Sequence, residues 1–161
     1  MAAVDRRTPI LFLQISMLLL DLSINIAATL LYWHNTVLLM LYVIQDTCTV
    51  MALIIMFLTF FSTYVFQAGL ISVLVARFQV TLYASAIYLA FSIAYHVWSL
   101  KIRWGRPYDD VWTAGLVAIY VIQRTSAILY YYFYKRTALM LGDPRYHQDS
   151  PWLRKQIAQK Q

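Results

Sequence analysis

Arg124 lies in "YVIQRTSAILYYYFYKR" (residues 120–136), inside an apolar stretch that opens near Val111 and closes on Lys135 and Arg136. A permanently charged guanidinium in such a run needs a partner, and two acids occur in similar surroundings. Asp21 shares one helical face with Asn25, four residues on. Gln45 and Asp46 sit in "VIQDTCT", and Gln123 directly precedes Arg124. Arginine and carboxylate form forked, bidentate pairs. Buried among apolar helices, such a set either carries ions or protons or holds the helices in register. A helical rise of about 1.5 Å per residue puts Asp46 about 15 Å below Thr36, Arg124 about 18 Å below Trp112 and Asp21 about 18 Å below Trp33. The matching depths predict an Asp46–Arg124 pair, with Asp21 and Asn25 as second partner or competitor. One acid–base set is visible, no helix is broken by paired Gly and Pro, and no inverted halves are evident. The structural role is therefore preferred over transport.

Other chemistry is sparse. His34, His96 and His147 fall in three separate regions, so no metal site is expected. Cys48 is the only cysteine, which excludes an intrachain disulfide and fits a small packing residue. No nucleophile elbow, P-loop, G-x-G-x-x-G or H-E-x-x-H occurs, so neither an enzyme nor a cofactor is expected.

The elements that must position these residues are legible in the composition. The 161 residues are 61% hydrophobic and 12% charged, against about 25% charge in soluble domains. The net charge of +6 does not point to nucleic acid, because the basic residues are confined to gaps between apolar runs, as on a membrane face. Arg6-Arg7 followed by "PILFLQISMLLL" resembles a signal peptide. The apolar run outlasts an h-region of about 7–15 residues and no clear A-x-A site follows, so it reads as a retained helix.

A spanning helix needs about 20 mostly apolar residues. Four segments qualify: Pro9–Trp33, Thr36–Tyr64, Val80–Leu100 and Val111–Tyr134. The expected fold is all-α, a polytopic four-transmembrane-helix bundle over residues 1–136, with a short basic tail over 137–161. Pro9 suits a helix start, and Asp110 suits the N-cap of the fourth helix. The second apolar run continues to Ala76, which predicts a second helix extended beyond the bilayer, with Gly69 as its weak point. Arg77 and Gln79 argue against a fifth span.

Lys and Arg counts predict both termini on the cytoplasmic side. Nine basic residues then lie inside (Arg6, Arg7, Arg77, Lys135, Arg136, Arg145, Arg154, Lys155 and Lys160) and three outside (Lys101, Arg103 and Arg106). The tyrosines before Lys135 read as an interfacial belt. Ala86, Ala90 and Ala94 repeat at four-residue spacing, a small-residue stripe for close helix packing within the bundle or against a partner helix.

After Arg136, Gly142 suits the C′ position of a helix and Asp143-Pro144 a turn. Lys135, Arg136, Trp152, Arg154 and Lys155 form a basic, aromatic tail suited either to an anionic headgroup surface or to solvent.

Several stretches together, "FFSTYVFQAGL" (60–70), "HVW" (96–98) with "RW" (103–104), and "YYYFYKRTAL", "LGDP", "QDS" and "WLRK" toward the end, resemble the transmembrane protein 138 family. The resemblance runs from about Ile44 onward and takes in the IQD and QR of the two polar sites. It implies a small four-span protein required for building cilia, associated with the transition zone and with vesicles or vacuole-like membranes that deliver cargo. It implies no catalytic activity. The expected partners are the lipid bilayer and other membrane proteins among transition-zone or vesicle components, with no nucleic acid. A small transporter or channel subunit using Asp21, Asp46 and Arg124 is the alternative. A helper subunit that shields polar helices of a larger membrane protein is a third.

Overall fold

The computed structural model describes residues 7–31, 34–63, 71–104 and 112–143, with side chains from residues 8 and 78 in the first and third of these. Among the described residues there are four helices and no strand: α1 (Arg7–Leu30), α2 (Asn35–Phe61), α3 (Ile71–Arg103) and α4 (Ala114–Leu141). Each is an apolar run free of internal proline, apart from Pro9 near the start of α1, where a missing N–H is tolerated.

The helix ends correct several expectations. The second helix does not run on toward Ala76: α2 stops at Phe61 with Ser62 as its C-cap. The hydroxyls of Ser62 and Thr63 donate back to the carbonyls of Thr59 and Phe60, which closes the last turn. The apolar residues from Ile71 instead open α3, making it 33 residues long. Gly69 lies outside the described residues, as does Asp110. The N-cap of α4 is Thr113, whose hydroxyl accepts from the Leu116 N–H at 3.4 Å. At the other end α4 runs past Arg136 to Leu141, and Thr137, Ala138 and Leu141 are buried in the bundle. Gly142 does end the helix, but with a right-handed φ of −73°, so the cap makes no use of the left-handed freedom that glycine has.

All four helices bury a seam whose spacing alternates four and three residues. In α1 it is Gln14, Leu18, Asp21, Asn25 and Ala28, and in α2 Leu38, Tyr42, Gln45, Thr49, Ala52 and Met56. In α3 it is Thr81, Ser85, Tyr88, Ser92, Tyr95 and Ser99, and in α4 Gln123, Ala127, Tyr130, Tyr134, Thr137 and Leu141. This 3.5-residue repeat keeps one seam facing the neighbouring helices along their length, as in left-handed bundles. Cross-helix contacts run antiparallel: Gln14 to Thr59 and Asp21 to Thr49, Phe60 to Phe78 and Tyr42 to Tyr95, Thr81 to Thr137 and Tyr95 to Tyr120. The result is an up-down-up-down bundle in which α3–α4 and α1–α2 are the most extensively packed pairs.

The interior is more polar than the exterior. Tyrosine, glutamine, serine and threonine fill much of the core, while Phe12, Leu30, Leu58 and Ile128 are each more than 60% exposed. That arrangement would aggregate in water, and it suits a lipid surround. Three helices are long and apolar enough to cross a membrane by length and composition, over Thr8–Leu30, Asn35–Phe61 and Phe78–Arg103. The chain is an integral membrane protein in contact with the bilayer. With 28 residues α4 has the length as well, about 42 Å. It carries Arg124, Lys135 and Arg136, the first of which is answered within the bundle.

A buried polar layer as the candidate functional site

Two apolar clusters occupy the two halves of the bundle. One gathers Leu18, Met56, Phe60, Phe78, Tyr130 and Tyr134, and the other gathers Ala28, Leu38, Tyr42, Tyr95 and Leu116. Between them lies a polar layer to which every helix contributes.

Asp21 is its acid, 2% exposed. One carboxylate oxygen accepts from the Tyr88 hydroxyl at 2.8 Å, from the Tyr131 hydroxyl and from the Asn25 amide at 3.4 Å. The other accepts from the Thr49 hydroxyl at 3.1 Å. The α2, α3 and α4 donors are thus all aimed at one acid on α1. Interhelical hydrogen bonds in membranes average about 0.6 and reach about 1.7 kcal/mol, so these three contribute roughly 2–5 kcal/mol. A buried carboxylate costs about 2.5–3.5 kcal/mol on insertion scales. The two nearly cancel, so the layer contributes helix register more than net stability.

Asn25 links this acid to the base. Its Nδ2, with two hydrogens to share among these acceptors, also lies 3.0 and 2.8 Å from the Tyr88 and Tyr131 hydroxyls. Its Oδ1 accepts from Arg124 Nη1 and, at 3.3 Å, from Gln123 Nε2. Arg124 Nη2 reaches the Asn25 backbone carbonyl and the Thr29 hydroxyl, both at 2.8 Å. The amide dipole therefore points its oxygen at the cation and its N–H₂ toward the carboxylate, mediating between opposite charges that do not touch. Gln45 Nε2 donates to the Tyr88 hydroxyl at 3.0 Å. The Oε1 atoms of Gln45 and Gln123 are buried with no partner, the one incompletely satisfied part of the layer.

The expected Asp46–Arg124 pair does not form. Asp46 Oδ1 is 3.0 Å from His96 Nδ1 and 3.4 Å from the Ser92 hydroxyl. A carboxylate only accepts, so the proton of that bond belongs to Nδ1. The His96 ring is stacked on Tyr42, with centroids 4.0 Å apart. The cause is rotation rather than depth. Adjacent residues on a helix differ by about 100°, so Gln45 points into the seam while Asp46 faces α3, and Gln123 points in while Arg124 faces α1.

Two further expectations are corrected. Ala86, Ala90 and Ala94 are all exposed, on the side of α3 away from the bundle, because the Ser/Tyr seam occupies the opposite face, so they do not pack within the bundle and the partner-helix alternative is left open. The tyrosines before Lys135 are not a simple interfacial belt. Tyr130 and Tyr134 are buried, Tyr130 stacks on Tyr88 at 4.7 Å, and Tyr134 donates to the Ala52 carbonyl at 2.7 Å. Tyr132 faces outward, as do Lys135 and Arg136. Trp152, Arg154 and Lys155 lie outside the described residues.

Tyr88, Tyr131, Thr49 and Thr29 belong to the layer and were not anticipated. The four–three spacing of Thr81, Ser85, Tyr88, Ser92, Tyr95 and Ser99 was the available signal for α3. Among the described residues no cluster of three His, Cys, Asp or Glu side chains could hold a metal ion.

Fold and site together define a class: an all-helical integral membrane protein whose helices are joined by a buried layer of hydrogen-bonded polar side chains. The family profile described as Transmembrane protein 138 matches residues 38–156, and the chain belongs to that family. Relatives named Transmembrane protein 138 include those of Xenopus tropicalis, 48% identical over 92% of both chains, and Mus musculus, 47% identical over 93% of both. That of Danio rerio is 46% identical over 92% of both. None of these names is that of an enzyme. No solved structure matches the chain significantly.

Proposed function

We propose that this chain is a non-enzymatic, four-span membrane protein that serves cilium assembly as a scaffold or trafficking factor, at the transition zone or on vesicle or vacuole-like membranes that deliver cargo. Both termini face the cytoplasm. The observation that carries the non-enzymatic reading is the enclosure of the layer's acid. Asp21 is saturated by donors from α1, α2, α3 and α4 and is sealed from any approaching substrate. The four-span reading is supported by the antiparallel fit of α4 along α3 and by its outward Val121, Ile122, Ile128 and Leu129. The ciliary part rests on the family resemblance.

The test is loss and rescue in ciliated cells, scored by cilium number and length and by co-purified transition-zone or vesicle proteins. Rescue is compared between the full chain and a chain ending after Asp143, because residues through Leu141 hold the bundle. Normal cilia after complete loss of the protein would sink the reading. Retention of every partner by the shortened chain would remove the tail from it.

One observation favours a second reading, a transporter or channel subunit. The Asp46 side chain, beside a buried His96, is 27% exposed on the flank of the bundle. Liposome flux abolished by Asp46→Asn would establish that reading, and flat traces across ions and pH would remove it.

A further inference from the structure

Among the described residues no acid answers Arg124 directly. Its hydrogen bonds end on uncharged oxygens of Asn25 and Thr29, and its guanidinium carbon sits 5.0 Å from the centre of the Tyr120 ring. Among the described residues no carboxylate stands within ion-pair distance of it. A guanidinium has five N–H donors; the bonds to Asn25 and Thr29 use three, and the Tyr120 hydroxyl is also hydrogen-bonded to it.

Beside this cation α1 and α4 part, leaving a groove of about 390 Å³. Its two ends differ. Thr29, Leu30 and Tyr120 mark one end, Asn25 and Arg124 lie midway, and Leu22, Ile128 and Tyr131 mark the other, since the two helices run antiparallel. A second cavity of about 310 Å³ shares Thr29 and Tyr120 with the groove and is also lined by Arg103 and Trp112. A charged group therefore has a route from the end of the bundle to Arg124 along polar side chains. The groove falls in the size range of single-ligand sites, about 300–1,000 Å³, and is too small for a two-chain phospholipid.

We infer that the α1–α4 groove binds one single-chain amphiphile with a carboxylate head, the head on Arg124 and Thr29 and the chain along Leu22, Ile26 and Ile128. A carboxylate matches the fork of the guanidinium and supplies the missing negative charge. Leu22, Ile26, Ala127 and Ile128, between Arg124 and the Tyr131 end of the groove, then accept the chain that such a head carries. The inference does not depend on the ciliary reading.

The experiment uses the purified full chain in detergent and a palmitic acid bearing a diazirine and an alkyne, with adducts mapped by peptide mass spectrometry. Unlabelled palmitate and hexadecanol compete. Adducts are expected on α1 and α4, with palmitate displacing the probe at about a tenfold lower concentration than the alcohol. Ile128→Trp fills the groove without touching the polar layer, and should lower labelling about tenfold while leaving thermal unfolding unchanged. Equal competition by acid and alcohol overturns the head-group assignment without any variant. Adducts elsewhere, or full labelling of a folded Ile128→Trp protein, overturn the groove.

Discussion

Removing a single oxygen, in Tyr88→Phe, tests whether the polar layer is held as described. The hydroxyl donates to Asp21 and accepts from Gln45 and Asn25, whereas the ring keeps its stacking on Tyr130. Its loss takes one charge-assisted donor from the acid, at about 1.5 kcal/mol, and leaves the Gln45 N–H₂ unpaired, at about 1 kcal/mol more. Gln45 is fully buried, so water does not replace the lost hydroxyl, and the neighbouring Asp21 carboxylate takes up only part of that second cost. Asn25 retains the Tyr131 hydroxyl and adds little. The expected destabilisation is about 2–3 kcal/mol, read as a shift in equilibrium unfolding by SDS in mixed micelles followed by far-UV circular dichroism. Gln45→Leu removes the other partner, so the double variant should be more stable than the sum of the singles by about 1 kcal/mol. A Tyr88→Phe protein within about 0.5 kcal/mol of the parent, or strict additivity with Gln45→Leu, would refute the reasoning.

Three further outcomes are expected. The charge swap of Asp46→Arg with Arg124→Asp should yield no more folded protein than the worse single variant, because the two side chains serve different partners; recovery of the parental yield would show that they pair. Arg124→Lys should cost about 1–2 kcal/mol in the same unfolding assay, since a point charge cannot serve Asn25 Oδ1, the Asn25 carbonyl and Thr29 together, and parental stability would count against the fork. A Cβ at Gly115 would come within 3.0 Å of the Trp98 ring, so Gly115→Val should destabilise by about 1–3 kcal/mol, and the penalty should vanish in a Trp98→Ala background.

The sequence revealed which residues are buried polar ones more readily than which of them meet. Hydropathy and depth placed Asp21, Asp46 and Arg124 at comparable levels, and all three lie near the middle of the bundle. Depth carries no rotational information, and a step of one residue turns a side chain by about 100°. Thus Gln45 and Gln123, expected within the polar set but not as its pairing members, proved to be the inward-facing members of their pairs. The alanine stripe misled for a related reason. Small residues permit close approach on any face, and within the bundle α3 used the opposite, Ser/Tyr face. Tyrosine was ambiguous in principle, because its ring suits an interface and its hydroxyl suits a buried acid. The end of α2 was hidden because apolar composition continues across 64–70, whereas the stop depends on local hydroxyl bonds at Ser62 and Thr63.

The hub at Asp21 also bears on how the protein is made. Its acid and amide leave the ribosome with α1, whereas Tyr88 follows 67 residues after Asp21 and Tyr131 follows 110 residues after it. At a synthesis rate of about 5–20 residues per second, α1 waits roughly 5–20 s for its last donor. During that interval a segment with a bare carboxylate is a poor candidate for release into lipid, and it must be sheltered by the insertion machinery or by a chaperone until α4 emerges. Completion of the chain and release of its first helix are thereby linked.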